Sequence, residues 1–320
     1  LAEGRIGLLS LSPADADNGT VAATEGAWWA GRRRAMATLL AAAAGCVVLL
    51  VALDLIFVHT THGQWVDDAS LRGTSIGRRR ISDPVNSILD VVSVTALGLA
   101  TIAVGVIGYL RRRPILALLT MVLVVGSNIT TEAVKHLVFT RPHLDPADPL
   151  AFNTLPSGHT TVALSVGVGF ALVAPARLRM LLAVVGALYG AATGVATMSA
   201  GWHRPSDAVA ACLVVGAWTA LIGAIATARR HVRDQPSPDA AYAVGRTAFI
   251  VLALALLAAG TVALVVTAFT VPPPSSRPRL FLAYAGGACS VAGAALAAMA
   301  GLLVVAQRAG TEQLDDPARS

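Results

Sequence analysis

The sequence predicts an all-α fold, a polytopic transmembrane helical bundle of about eight spans, and three observations support it. Of the 320 residues, 55% are hydrophobic and only 13% are charged, whereas soluble domains carry about 25% charged residues. The apolar residues form runs of roughly 20, long enough to cross a bilayer as helices. The basic residues behind the net charge of +6 lie in short clusters between those runs. Such clusters are typical of membrane topology signals, so we expect no nucleic-acid partner.

The apolar runs divide the chain into five parts. The candidate spans are residues 35–58, 85–110, 114–134, 160–176, 178–200, 206–228, 247–270 and 280–306. We expect a flexible cytoplasmic N-terminal tail (1–34), a six-span core (35–228), a cytoplasmic linker (229–246), two additional spans (247–306) and a cytoplasmic C-terminal tail (307–320). Each of Cys46, Cys212 and Cys289 lies inside an apolar run, where cysteine acts as a small packing residue. The cysteines therefore indicate neither a disulfide framework nor a metal-ligand spacing. We expect no metal and no cofactor.

Arginine clusters set the expected orientation in the cell membrane. They precede the first span, separate the second from the third and the fourth from the fifth, and follow the sixth. The positive-inside rule makes that side cytoplasmic and places both termini there. The opposite, outer loop 59–84 breaks the rule because it holds Arg72, Arg78, Arg79 and Arg80. Either a boundary is misplaced or this loop meets lipid phosphates.

Three polar segments meet the spans on the predicted outer face. Residues 135–142 read Lys-His-Leu-Val-Phe-Thr-Arg-Pro, residues 156–159 read Pro-Ser-Gly-His, and residues 201–207 read Gly-Trp-His-Arg-Pro-Ser-Asp. Lys135 is the sole lysine of the chain. Its ammonium can bind a phosphate oxygen, and the Arg141 guanidinium can grip the same anion through two donors. A lysine at a helix end also snorkels towards water, so this residue alone decides nothing.

The second segment stands at the predicted start of a helix. Backbone N–H groups there point at an incoming anion, and Gly158 lets a ligand approach the backbone closely. An ordinary turn capped by Ser157 fits the same residues.

His203 and Asp207 are four residues apart and can share one helix face. An aspartate bonded to one ring nitrogen fixes the tautomer and leaves the other nitrogen to attack. A charged residue entering an apolar span is costly, which favours a function for the pair. Together the segments predict a phosphoryl-transfer site in which one histidine attacks phosphorus and the other protonates the leaving oxygen.

These three blocks resemble those of the type-2 phosphatidic acid phosphatase superfamily, which includes lipid phosphate phosphatases and haloperoxidases, and the chain looks most like its bacterial membrane branch. The resemblance covers roughly residues 50–228. It implies that Lys135, Arg141, Ser157 and Gly158 bind phosphate, without a metal. It further implies His159 as general acid, His203 as the nucleophile that forms a phosphohistidine, and Asp207 as its orienting partner.

Two departures from the family pattern concern the cations. The family places six residues between the lysine and the arginine of its first block, whereas five separate Lys135 from Arg141. An irregular helix exit would absorb the difference. The family's third-block arginine falls at Thr197 in this chain, and loss of one such donor costs about 10²–10³ in rate. We hypothesise that Arg204, or an arginine of loop 59–84, substitutes for it.

The resemblance implies a lipid phosphatase at the extracytoplasmic face. Polyprenyl diphosphate, phosphatidic acid or a similar lipid phosphate would be the substrate, in a cell-envelope role. A phosphotransferase could use the same residues, and a non-catalytic lipid-phosphate-binding protein is favoured by Thr197. The sequence is silent on the oligomeric state.

Overall fold

The computed structural model of the protein describes residues 13–74, 85, 89, 93–144, 150, 152–229, 240–269 and 276–309. Helices dominate these residues and no strand occurs among them, which confirms the all-α prediction. In chain order the α-helices are α1 Pro13–Leu53, α2 Thr61–Gly73, α3 Val94–Leu110, α4 Pro114–Ala133, α5 Gly158–Val173, α6 Ala176–Ala200, α7 Pro205–Ala228, α8 Ala240–Ala268 and α9 Arg277–Ala309. The π-helices Asp54–Val58 and Val134–Val138 extend α1 and α4.

Six helical segments are long and apolar enough to cross a membrane, which makes this a multi-pass membrane protein by length and composition. They are Trp28–Val58, Pro114–Val138, Ala176–Ala200, Pro205–Ala228, Ala240–Ala268 and Arg277–Arg308. The other two predicted spans correspond to the shorter apolar helices α3 and α5, of 17 and 16 residues. Helices of that length reach about 25 Å, less than the hydrocarbon core of about 30 Å. The predicted count of eight full spans is therefore not confirmed.

Several segments differ from the sequence-based division. Helix α1 begins at Pro13, inside the predicted flexible tail. The predicted outer loop 59–84 contains helix α2, while residues 75–84, including Arg78 to Arg80, lie outside the described residues. Helix α8 begins inside the predicted linker, of which residues 230–239 lie outside the description, as do residues 310–320 of the C-terminal tail.

The two ends of the bundle differ in chemistry. The carboxyl ends of α4 and α6 and the amino ends of α5 and α7 meet at one end, which carries all three polar segments. At the opposite end Arg111 donates to the carbonyl of Val173, and Arg179 donates to the carbonyl of Ala171 at 3.3 Å. Arg111 and Arg179, from two of the predicted arginine clusters, thus satisfy helix carbonyls at the end away from the polar segments.

Helix α2 lies across the polar end and packs on α9. Thr60 caps it by accepting from the Gly63 N–H, which satisfies an orphan donor of the first turn. Ser70 donates to the Ala283 carbonyl of α9 at 2.9 Å, and a Cβ at Gly73 would lie 2.2 Å from the Leu280 carbonyl oxygen. Packing this close shields α2 from solvent, and the carboxylates of Asp67 and Asp68 on this helix are buried.

Glycines allow α5 and α6 to pack closely. A Cβ built on Gly167 of α5 would lie 2.8 Å from the Gly186 Cα, and one on Gly190 would lie 2.9 Å from a methyl group of Leu164. Small residues at such interfaces let helix backbones approach within van der Waals contact in a membrane. The repeat of Gly186, Gly190 and Gly194 is accordingly a packing face.

Filling this interface is expected to destabilise the protein. Gly186→Leu forces α5 and α6 apart and should lower stability by about 1–3 kcal/mol, the usual cost of overpacking. Thermal unfolding in detergent measures the effect. Gly98→Leu is the matched control, because a Cβ at Gly98 of α3 meets no atom within 4 Å. An equal loss of stability in both variants would contradict the packing role.

Candidate phosphoryl-transfer site

A tight connection between α6 and α7 presents His203. Gly201 ends α6 with a φ of 79°, a left-handed conformation that glycine adopts without strain. The carbonyl of Thr197 accepts from the N–H groups of Trp202 at 3.0 Å and His203 at 3.3 Å. Pro205 then starts α7 at a position where its missing N–H costs nothing. The turn therefore fixes the backbone of His203 from both sides.

The carboxylate of Asp207 joins three donors at one oxygen. Its Oδ2 lies 3.2 Å from His203 Nδ1, accepts from the Arg204 backbone N–H at 2.8 Å, and accepts from Thr154 Oγ1 at 2.6 Å. Asp207 is 1% exposed and His203 is 8% exposed. The predicted histidine–aspartate pair is present, and Asp207 holds Nδ1 so that Nε2 is the nitrogen that faces away from it.

The amino end of α5 lies directly against α7. The Ser157 N–H donates to the Asp207 carbonyl at 2.9 Å, and the Ser157 Oγ accepts from the Thr160 N–H. Ser157 is thus the N-cap, as the sequence suggested, and it is fully buried. His159 stands in the first turn of α5, with its ring centroid 5.5 Å from that of Trp202.

Lys135 approaches the same helix end. A Cβ built on Gly158 would lie 3.6 Å from Lys135 Nζ, in ordinary contact, and 3.0 Å from Glu132 Oε1, so that the Glu132 carboxylate would have to shift. Nζ donates to Glu132 Oε1 at 2.9 Å. The ammonium therefore lies at the amino end of α5, and both Lys135 and His203 are close enough to His159 to act electrostatically on it.

The helix exit that carries Lys135 is irregular, as its spacing from Arg141 led us to expect. Residues Val134–Val138 form a π-helix and Phe139 is extended. The amide of Asn153 donates to the carbonyls of Lys135 at 3.0 Å and Phe139 at 3.2 Å. This side chain satisfies carbonyls that the widened turn releases, a common device where π-helical turns serve a site.

Asp68 of α2 is buried between two guanidinium groups. Its Oδ1 accepts from Arg204 Nε at 2.6 Å and lies 3.6 Å from Arg141 Nη2. Arg204 also donates to Thr154 Oγ1 at 3.2 Å and to the Leu150 carbonyl at 2.8 Å. Burial alone would lower the pKa of Arg204, but Asp207 and Asp68 outweigh it and hold that pKa above its ordinary value. Asp68 thereby connects the first and third polar segments.

The neighbouring Asp67 binds the first turn of α7. Its Oδ1 accepts from the Ser206 N–H at 3.2 Å and its Oδ2 accepts from the Ser206 hydroxyl. Burial, with a contribution from the nearby charge of Asp207, raises the pKa of Asp67 to about 7 although Arg204 opposes the rise. Its ionised form is therefore costly near neutral pH.

Sequence reasoning did not assign several residues of this network: Asp67, Asp68, Asn153 and Thr154. The one signal for the two aspartates was a pair of acids in a loop otherwise rich in arginine. Thr197, at the position of the absent family arginine, is fully buried and donates to the Gly194 carbonyl at 2.8 Å. Across the described residues, no group of three or more His, Cys, Asp and Glu side chains is arranged to hold a metal ion.

A buried histidine–aspartate pair, an ammonium and a helix amino end lie at one end of an apolar bundle, an arrangement that suits phosphoryl transfer. The family model of the PAP2 superfamily matches residues 114–231, from the start of α4 to just beyond α7. Over this segment the chain is similar to the PAP2 superfamily, which agrees with the resemblance to type-2 phosphatidic acid phosphatases. The match is narrower than the sequence suggested, because α1 to α3 lie outside it. No match was found among curated proteins or solved structures.

Replacing Asp68 by asparagine should destabilise the protein by about 3–5 kcal/mol, because two buried guanidinium groups would lose their shared counter-charge. The matched control is Glu132→Gln, which breaks an ion pair whose carboxylate is 55% exposed and should cost less than about 1 kcal/mol. Chemical unfolding in detergent compares the two. Equal costs would refute the role of Asp68.

Asp67 should make stability depend on pH. Its folded pKa of about 7 lies above the ordinary value of 3.8, so its contribution is fully present below pH 3.8 and is lost as the pH rises through about 7. Asp67→Asn removes this titration. The difference in unfolding temperature between wild type and Asp67→Asn should therefore shift in favour of the variant from pH 4 to pH 8. A difference independent of pH would contradict the burial of this carboxyl.

Proposed function

We propose that the protein is a membrane lipid phosphatase that hydrolyses a phosphate or diphosphate monoester of a lipid through a phosphohistidine on His203. The observation that carries the proposal is the pairing of His203 Nδ1 with Asp207 at 3.2 Å, beside the amino end of α5. This geometry directs the imidazole and stabilises the positive charge that the ring acquires on attack. The superfamily match supports a phosphatase and leaves the substrate open.

The proposed reaction has two steps. His203 Nε2 attacks phosphorus, a nitrogen–phosphorus bond forms, and the bond to the lipid oxygen breaks as His159 protonates that oxygen. Water then attacks the phosphohistidine, His159 accepts its proton, and inorganic phosphate leaves with His203 restored. Lys135, Arg141, the Ser157 hydroxyl and the Gly158 backbone amide would bind the phosphoryl oxygens throughout, so that most of the rate comes from positioning and charge stabilisation.

Arg204 was predicted to bind phosphate, and we propose that it instead supports phosphate binding indirectly by holding neighbouring segments in place. Its side chain is fully buried and donates to Asp68, Thr154 and Leu150. Those contacts favour a role in holding α2 and the loop before α5 in place, and through them the position of Arg141. With Thr197 also bonded to its own helix, the phosphate would be held by fewer cations than the family pattern implies.

The substrate class follows from the position of the site. Lys135 and Trp202 lie at the end of an apolar bundle whose outer surface exposes many large hydrophobic side chains, so a phosphate with a lipid tail can reach it from the bilayer. A polyprenyl diphosphate or phosphatidic acid meets this requirement. With the arginine-rich end cytoplasmic, as the positive-inside rule predicts, the site would face the extracytoplasmic side.

Two other functions are compatible with the same site. A phosphotransferase would use the same histidines and pass the phosphoryl group to an alcohol instead of water. A non-catalytic lipid-phosphate-binding protein would fit the absence of a cation at Thr197. The first predicts product transfer to an added alcohol, and the second predicts binding without turnover.

Purified protein in detergent should release phosphate from a panel of polyprenyl diphosphate, phosphatidic acid and phosphatidylglycerol phosphate. His203→Ala should abolish release and the covalent phosphoryl adduct, because the nucleophile is gone. Asp207→Asn should lower kcat by up to about 10⁴-fold, because the tautomer is no longer fixed. Phosphate release and mass spectrometry of the His203 peptide at alkaline pH measure both effects.

His62→Ala is the matched control for these variants, because His62 is exposed on α2 and contacts the Ala268 carbonyl away from the site. It should keep wild-type activity. Turnover by His203→Ala equal to wild type would refute the nucleophile, and binding of every lipid phosphate without turnover would establish the non-catalytic alternative. Incorporation of ¹⁸O from labelled water into phosphate, compared with transfer to an added alcohol, separates hydrolase from transferase.

A further inference from the structure

A large apolar cavity of about 750 Å³ lies on the side of α7 away from the α4–α5 face of the bundle. Helices α1 and α9 both pack on α7, and α8 packs on α9, so that these four helices form most of the walls of a space that opens to the outer surface of the bundle. Its walls carry small side chains, among them Ala42, Gly216 and Ala297. Three of its four helices lie outside residues 114–231, so the superfamily match does not account for it.

The cavity runs along most of the membrane-crossing part of the bundle. Its lining on α9 extends from Ser290 to Arg308, a rise of about 27 Å, close to the hydrocarbon thickness of about 30 Å. An apolar space of this size costs stability if empty, and its lining offers water few partners. In a bilayer the material at hand to fill it is a lipid hydrocarbon chain.

The two ends of the cavity differ in charge. Arg308 is the basic residue among the described lining residues and stands at one end, beside Thr38 of α1. Asp67 lines the opposite end, where its carboxyl is bonded to Ser206. A lipid phosphate gains attraction at the Arg308 end and none at the Asp67 end, and basic residues between spans are a known means of binding anionic head groups.

We propose that this cavity, bounded by α1, α7, α8 and α9, binds one chain of an anionic membrane phospholipid whose phosphate lies at Arg308. The bound lipid joins the α8–α9 pair to α1 and α7. The phosphate sits at the end of the bundle opposite His203, so this lipid is a resident of the structure and not the substrate. The proposal does not depend on the phosphatase activity.

Variants at Gly301 and Arg308 test the cavity and the head group separately. A Cβ built on Gly301 meets no atom within 4 Å, so Gly301→Phe should fold and occupy the space meant for the chain. Gly98→Phe on α3 is its matched control, since that position is equally open. Ala297→Leu is a second cavity-filling variant. Arg308→Gln removes the cation, and Arg279→Gln at the other end of α9 is its control.

The measurements are phospholipid retained per protein by native mass spectrometry and thermal unfolding with dioleoylphosphatidylglycerol or dioleoylphosphatidylcholine added to the micelles. Wild type should retain phospholipid and gain about 5 °C with the anionic lipid. Gly301→Phe and Ala297→Leu should lose both responses, and Gly98→Phe should keep them. Arg308→Gln should weaken the preference for the anionic lipid about fivefold, the effect of one basic residue, while Arg279→Gln should not.

Three outcomes would overturn the proposal. Retention and stabilisation in Gly301→Phe and Ala297→Leu equal to wild type would show that the chain lies elsewhere. A loss in Gly98→Phe as large as in Gly301→Phe would show an effect of surface bulk. An unchanged lipid preference in Arg308→Gln would show that the head group does not lie at the Arg308 end of the cavity.

Discussion

The buried carboxylate of Asp68 between Arg204 and Arg141 is the interaction on which the polar end of this protein depends. Two guanidinium groups taken out of water without a counter-charge would cost more than the local packing can supply. Asp68 contributes counter-charge to both, with Asp207 also close to Arg204. It comes from α2, whereas the arginines come from the exit of α4 and the start of α7. Charge therefore joins three segments that are distant in the chain.

Helix termini then do the rest of the positioning. Asp207 accepts from the backbone of its own first turn and from Thr154 of the preceding loop, while its carbonyl accepts from Ser157 of α5. The same residue thus orients His203, caps α7 and joins α7 to α5. Because each of these contacts satisfies a group that would otherwise be buried without a partner, the catalytic geometry and the local stability have the same cause.

The sequence alone was sufficient to predict features that depend on residues close together in the chain. The helical spans follow from apolar runs, the Ser157 cap from its place before α5, and the His203–Asp207 pair from a spacing of one helical turn. It was insufficient where a contact joins segments far apart in the chain. Asp68 and Arg204 are separated by 136 residues, and nothing in either segment specifies the other. Helix α2 was missed because a search for long apolar runs does not detect a 13-residue helix whose buried residues include Gln64, Asp67 and Asp68.

The charge balance around Lys135 bears on how a phosphate would enter. Its ammonium is held by Glu132, and Glu132 also lies 3.2 Å from His136. An incoming phosphate must compete with this carboxylate, and Thr197 offers no cation to compensate. A phosphate can displace Glu132 because the Glu132 side chain is 55% exposed and can turn towards water. The Lys135 side chain is 14% exposed and stays beside Gly158.

A binding site built this way favours ligands with two or more negative charges over a carboxylate of charge one, since only the former gain enough from Lys135, Arg141 and the α5 amides to displace Glu132. Selectivity for phosphate over carboxylate would then come from Glu132, the residue that binds Lys135 in the absence of substrate.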